Sequence, residues 1–196
     1  PKHPGCEACQ KCKMQKKPHR RKDVVDKDPW KVPQRFGEQI TLDNTGTKRR
    51  SDVSRAGDVT TCVIQDRYTS WMWGYSSPDK PTEPIIGHLR DFVSPHESVD
   101  LLYFDNAEEY IAAAPHRGYR FATRSKNRPA SNGVAQRAVR RVLEGARTAL
   151  FESGLPHAYW PEAVRTYCAN RSFGDEVKAG KAPFQLRFGQ KFRGHQ

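Results

Sequence analysis

Residues 132–150 read Asn-Gly-Val-Ala-Gln-Arg-Ala-Val-Arg-Arg-Val-Leu-Glu-Gly-Ala-Arg-Thr-Ala-Leu, and no other stretch limits the fold so tightly. Ala135, Ala138, Val139, Val142, Ala146 and Ala149 recur at helical spacing, which predicts an amphipathic helix with one apolar face. Arg137, Arg140, Arg141 and Arg147 fall largely outside that face. Gln136 sits in the first turn, just after a Gly-containing loop. A helix that offers one polar side chain and several arginines beside a loop is suited to nucleic-acid chemistry.

The charge balance points the same way. The chain of 196 residues carries a formal charge of +12 and a pI near 9.7, which implies a polyanionic partner, nucleic acid first. Residues 1–50 hold 14 Lys and Arg against 6 Asp and Glu, and residues 116–147 hold 9 against Glu144 alone. The remainder is slightly acidic, so the excess is concentrated in two segments. A solvated basic surface has the same composition, and that reading stays open. No apolar run approaches the roughly 18 residues of a membrane span, and no secretory signal opens the chain. Five cysteines, three of them within seven positions, do not make an extracellular disulfide framework. The expectation is an intracellular, reducing environment and, from the opening Pro-Lys-His-Pro, a piece of something longer.

Cys6-x2-Cys9, followed by Cys12, has the spacing of half a tetrahedral zinc site gripped through a tight turn. His3 and His19 are near, but neither completes a recognisable spacing, so an orphaned half-site and a complete local site are both open. Lys16, Lys17, Arg20, Arg21 and Lys22 then form a basic run, a linker that could also touch phosphates or act as an import signal. From Phe36 the pattern changes. Ile40 and Leu42 alternate with polar residues up to Asp43 and the Asn44-Thr45-Gly46 stop, a strand with a carboxylate near its end. Val59–Asp66 and Trp71–Tyr75 form a predicted hairpin, and Ile85, Ile86, Leu89, Phe92 and Val93 repeat as in a helix. Val99–Phe104 is a strand ending in Asp105-Asn106, Ala107–Ala114 a short helix, and Tyr119–Thr123 a last strand. A Pro/Gly/Asn/Ser-rich basic loop, 125–133, leads into the long helix, which Gly154-Leu155-Pro156 ends. A further helix places Tyr159, Trp160, Ala163, Val164, Tyr167 and Cys168 on one face. After Gly180 the chain is short, basic and without a legible period.

This order predicts a mixed sheet flanked by helices. Asp43 and Asp105 each end a strand, and if those strands are neighbours the two carboxylates meet at one edge of the sheet. Two such groups repel, and a divalent cation relieves the repulsion. Mg²⁺ suits oxygen ligands, keeps several waters, and can activate a nucleophile and stabilise a leaving oxygen at phosphorus. Strand-terminal aspartates also serve as turn and cap residues, so spacing by itself leaves both roles open.

Several stretches together carry a more specific signal. They are Cys6-Glu7-Ala8-Cys9-Gln10-Lys11-Cys12-Lys13, Leu42-Asp43, Phe104-Asp105-Asn106-Ala107-Glu108-Glu109-Tyr110, Asn132-Gly133-Val134-Ala135-Gln136-Arg137, Gly145-Ala146-Arg147-Thr148, Leu155 to Ala163, and Lys181-Ala182-Pro183-Phe184. In this order, from about His3 to Gly189, the sequence resembles the integrase region of a copia-type LTR retrotransposon Pol polyprotein. The resemblance implies an α/β, RNase H-like five-stranded mixed sheet flanked by helices, with a short Cys-containing N-terminal extension. It divides the chain into a zinc-region remnant and linker (1–35), a catalytic core (36–175) and a C-terminal extension (176–196). It implies a polynucleotidyl transferase that uses Mg²⁺ or Mn²⁺ to trim element ends and join them to target DNA, acting as a multimer on double-stranded DNA, in the nucleus or a retrotransposon particle. Asp43 and Asp105 would be the first two members of its Asp-Asp-Glu triad. Cys6 and Cys9 would be the cysteine half of a His-His-Cys-Cys Zn²⁺ site.

The third member departs. The family has Glu after Asn-Gly-Val-Ala, whereas this chain has Gln136, 31 residues after Asp105. An amide oxygen can ligate a metal but brings no charge and cannot act as a base. Glu144 lies eight residues further on, about 12 Å along a helix, and Ala130-Ser131 replaces the family's glutamine-rich loop. Three expectations therefore compete. One is an integrase core impaired at Gln136. Another is a non-catalytic module whose Lys126, Arg137, Arg140 and Arg141 contact DNA phosphates. The third is a zinc-dependent interaction module built on Cys6, Cys9 and Cys12.

Overall fold

Residues 40–46 alternate because one face of their strand enters the apolar core and the other bears polar side chains, Asp43 among them on an open cleft. In β1 (Ile40–Gly46), Ile40 and Leu42 enter one apolar cluster, which leaves Thr41, Asp43 and Thr45 for the opposite face. The computed structural model describes residues 5–12, 32–46, 50–79, 82–105, 107–123 and 133–194. His3, His19, the basic run 16–22, Lys126, Asn132 and the loop before the long helix lie outside them.

β2 (Thr60–Asp66) pairs antiparallel with β1 from Ile40↔Asp66 to Gly46↔Thr60, and β3 (Met72–Ser77) pairs antiparallel with β2. β2 is buried along its whole length, as expected of a strand covered on both faces. Past α2 (Thr82–Phe92), β4 (Leu102–Phe104) runs parallel to β1. After α3 (Glu108–Ala113), β5 (Phe121–Thr123) runs parallel to β4. The strand order is β3-β2-β1-β4-β5, the mixed five-stranded sheet read from the sequence. β4 is shorter than the predicted Val99–Phe104. Asp100 is turned outward into a forked ion pair with Arg35 (2.7 and 2.6 Å), and its N–H bonds to the Gly37 carbonyl instead of joining the ladder.

One face of the sheet packs Ile40, Leu42, Cys62 and Ile64 against Ile85, Leu89 and Phe92 of α2 and Tyr110 of α3. The other packs Val63 and Met72 against α4 (Gly133–Ser153) and α5 (Trp160–Phe173). The predicted α4 face is present: Ala135, Ala138, Val142 and Ala146 are buried, with Val139 and Ala149 partly so. Gly145 joins it for a reason invisible to periodicity. A Cβ there would stand 2.1 Å from the Tyr167 ring of α5, so only glycine lets the two helices meet. Gly154 takes φ = +67° and ends α4 in the left-handed turn that glycine favours.

Both chain ends pack on this core. α1 (Glu7–Cys12) is a short helix rather than the expected tight turn. It buries Ala8 and sets the Cys12 Sγ 3.6 Å from the Arg147 carbonyl of α4. The segment after Gly180 forms α6 (Pro183–Phe188), opened by Pro183 at its first turn. Its Arg187 makes a forked pair with Glu97, donates to the Phe92 carbonyl (2.9 Å) and lies 3.9 Å above the Phe36 ring. Phe184 and Phe188 extend an aromatic cluster around Trp71 and Phe173.

Candidate catalytic cleft

Alternation along β1 points Asp43 toward α4. Its cross-strand neighbour Val63 packs in the α4–α5 cluster, and Asp43 lines a cleft of about 270 Å³ with Gln136, Arg140, Glu144 and Arg147. Those four, with Val139 and Leu143 as the apolar floor, recur three or four residues apart and so form one stripe of α4. Gln136 is exposed in the first turn. The structure thus brings Asp43 and Gln136 to one cleft from opposite walls.

Asp105 follows directly from β4. The pairs Ile40↔Leu102 and Thr41↔Tyr103 have an offset of 62 residues, the same offset that separates Asp43 from Asp105. Extending that register sets the two aspartates side by side at the ends of adjacent parallel strands. Asp105 Oδ1 accepts from the Ala107 N–H (3.2 Å), which turns the chain into α3. Beneath lies Tyr110, buried, with its hydroxyl 3.6 Å from the Cys62 Sγ. Burial, then Cys62, then the Asp43 and Asp105 carboxylates all push the Tyr110 hydroxyl pKa up, so both charges bear on this one group. The Cys62 thiol is pushed up to about 12, by burial first and by Asp43 and Glu109 in addition.

The cleft is electrostatically mixed. Asp43 and Glu144 face Arg140 and Arg147, and Arg140 Nε is paired with Glu144 Oε1 at 2.9 Å. Sequence reasoning set Glu144 aside as too far along the helix from Gln136. It lines the same cleft, at the spacing of one α4 stripe, with Arg140 occupying its carboxylate. The arginines divide further: Arg137 is exposed, while Arg141 is half-buried beside Tyr167 and Arg171. Burial, then the Arg171 charge, lowers the Arg141 pKa.

Asp43 and Asp105 near the strand ends and the Gln136 amide on α4 offer oxygen donors, the kind that suits a hard divalent cation. Two negative charges balance one such ion and leave a second unbalanced. Among the described residues no three His, Cys, Asp or Glu side chains stand together as a metal-holding group.

The architecture has known counterparts. A chain from the structure of the simian T-cell lymphotropic virus intasome in complex with PP2A regulatory subunit B56 gamma superposes with a TM-score of 0.65 at 15% identity, over 92% of this chain and 62% of that one. The HTLV-2 integrase catalytic core domain, in complex with magnesium in a trimeric form, gives 0.58 at 12% identity over 78% of this chain and 97% of that one. The catalytic core of BIV integrase gives 0.58 at 14% identity over 78% and 95%. The fold is that of a retroviral integrase catalytic core. In sequence, the chain is similar to the retrovirus-related Pol polyproteins from transposons RE2 and RE1 of Arabidopsis thaliana. It is 28% identical to the first over 138 residues and 27% to the second over 137, in each case 65% of this chain. It spans about 9% of the length of those polyproteins. No family model matches the chain.

Proposed function

We propose that this chain is the catalytic core of a retrotransposon integrase, a DNA-binding polynucleotidyl transferase impaired because Gln136 stands where its third carboxylate would be. The observation that supports this reading is the β1–β4 register, which if extended past Thr41↔Tyr103 would bring Asp43 level with Asp105, together with the cleft that Asp43 and Gln136 both line. The Asp43 and Asp105 carboxylates and the Gln136 amide oxygen would hold Mg²⁺ or Mn²⁺, which supplies Lewis-acid stabilisation of charge at phosphorus. Asp43 contributes a carboxylate fixed by the β1–β2 ladder. Asp105 contributes one oriented by its bond to Ala107. Gln136 holds a position but neither takes up a proton nor balances a charge. The partner would be double-stranded DNA, at element ends and target, with further copies of the chain, as the trimeric form of the HTLV-2 integrase catalytic core domain suggests. A nuclear or particle location follows from that role. Among the described residues no helix is long and apolar enough to cross a membrane.

The test is the Gln136→Glu variant, assayed for Mg²⁺- or Mn²⁺-dependent nicking and strand transfer on a DNA end. Gain of activity over the parent is expected. A revertant that folds and binds DNA yet stays inert would overturn the claim that this position is limiting.

A second reading, a DNA-binding module without catalysis, is favoured by the exposed Arg137 and by Arg140 and Arg147 on the cleft. Lys126 and the half-buried Arg141 would add phosphate contacts. It predicts affinity that falls steeply with salt; binding without salt dependence would remove it. A zinc ion at Cys6 and Cys9 would need ligands from beyond the described residues, and neither reading depends on it.

A further inference from the structure

The backbone ladder between β1 and β4 stops short of the residues it aligns. Its last pair is Thr41↔Tyr103, and β4 ends at Phe104, so Asp43 and Asp105 both lie beyond it. β1 continues, held on its other side by β2 as far as Gly46↔Thr60. Among the described residues the β1–β4 ladder pairs end at Thr41↔Tyr103, before the turn that carries Asp105. A contact beyond the ladder bears on the separation of the two carboxylates.

A side-chain bond spans the gap. Asn44 Nδ2 donates to Glu109 Oε1 at 3.3 Å, and both residues are half-buried. Asn44 follows Asp43 directly, and Glu109 lies in the first turn of α3, just past the Asp105–Ala107 turn. By strand alternation Asn44 projects to the α2–α3 face, away from the α4 cleft that Asp43 lines. The bond therefore braces the strand ends from behind and leaves the cleft side clear. A second contact supports it: Cys62, the cross-strand neighbour of Asn44, meets the hydroxyl of Tyr110, the residue after Glu109.

We propose that Glu109 is a positioning residue and not a metal ligand: through Asn44 it fixes the strand end bearing Asp43 against the turn bearing Asp105. This rests on the reading of those aspartates as a divalent-cation site. A brace of this kind requires a hydrogen bond and not a charge. Glutamine at 109 still presents an acceptor to Asn44, whereas alanine does not. Aspartate at 44 would face Glu109 with a second carboxylate and push the strand ends apart. In the double variant Asn44→Asp/Glu109→Gln the amide donates to the carboxylate, so the bond returns with its direction reversed.

The experiment is Mn²⁺ titration of the full chain, read from the loss of the free-ion paramagnetic resonance signal, with circular dichroism as the check on folding. Asp43→Asn serves as the reference and should abolish specific binding. Glu109→Gln should bind as the parent does. Glu109→Ala and Asn44→Asp should each weaken binding by about 10-fold, the scale of losses when a residue orienting a ligand is removed. The double variant should recover what Asn44→Asp loses. Glu109→Gln losing as much as Glu109→Ala would make the carboxylate a ligand and overturn the proposal. So would Glu109→Ala binding normally while Asp43→Asn does not. If Asp43→Asn itself leaves binding unchanged, the cation-site reading fails and the brace with it. Should Glu109→Ala not fold, Glu109→Gln and the double variant decide the matter.

Discussion

Gly145→Ala separates two accounts of α4 that disagree in sign. Helix propensity alone favours alanine over an interior glycine by about 1 kcal/mol. The structure opposes it: the new methyl would lie 2.1 Å from Cδ2 and Cε2 of Tyr167. Carbon atoms pack at about 3.5 Å or more, so the ring or a helix must retreat by about 1.4 Å. Tyr167 has little room to do so, half-buried beside Arg141 and Arg171. Overpacking of this kind costs about 1–3 kcal/mol. Offset by the propensity gain, the variant should be destabilised by up to about 2 kcal/mol, read as a lower urea midpoint at unchanged slope. In a Tyr167→Ala background the obstacle is gone, and the same substitution should be neutral or stabilising by up to about 1 kcal/mol. A Gly145→Ala protein more stable than its parent would refute the close approach of α4 and α5. That approach also sets where Gln136 and Arg140 stand relative to Asp43.

Other expectations follow from single contacts. Arg187→Ala removes a guanidinium that is 5% exposed and leaves the part-exposed Glu97 with the Ser94 N–H as partner, so unfolding should show a loss of about 2 kcal/mol, below the range for breaking a fully buried pair. Burial alone would raise the Glu97 pKa, but the Arg187 hydrogen bonds, the Ser94 N–H and the Arg187 charge together outweigh it, and the folded value lies below the ordinary one. The stability Glu97 contributes is therefore present above the usual carboxylate range and lost as pH falls through the folded value, and Arg187→Ala should flatten that acid limb. The Cys62 and Cys168 thiols, each pushed up to about 12 by burial, should resist a thiol reagent at pH 8 until the chain unfolds. Their modification in the native protein would contradict the two-faced core. Glu144→Gln releases Arg140 and should tighten DNA binding at low salt, while Arg137→Ala should lower the salt slope by about 0.9. Filter binding across a salt series measures both.

Much of the architecture was legible in the chain because its elements are periodic. Ile40 and Leu42 alternate, α2 and α4 repeat at helical spacing, and the Asp43–Asp105 separation equals the β1–β4 register. What stayed hidden depends on contacts between distant residues. Gly145 reads as a weak point of a helix until Tyr167 is placed against it. At six residues, α6 is too short to show a period, and it is held by Arg187 and by the aromatic cluster that Phe184 and Phe188 form with Trp71 and Phe173. Of the three residues singled out in the sequence, Asp43 and Gln136 line the cleft, and Asp105 follows the end of β4. The Arg140–Glu144 pair has the i, i+4 spacing of α4 and was legible there, whereas the Asn44–Glu109 bond joins β1 to α3 and follows from no spacing along a single element. Arg141 was grouped with Arg137 and Arg140, but the helix turns it toward α5.

The most direct test of the central claim is Mn²⁺ occupancy at Asp43 and Asp105, read by anomalous scattering from soaked crystals of the parent and of Gln136→Glu. The account predicts a single ordered ion in the parent, and a second one only when the carboxylate is restored. Two well-ordered ions in the parent would show that Gln136 does not limit the centre, and none in either protein would show that these aspartates are not a metal site.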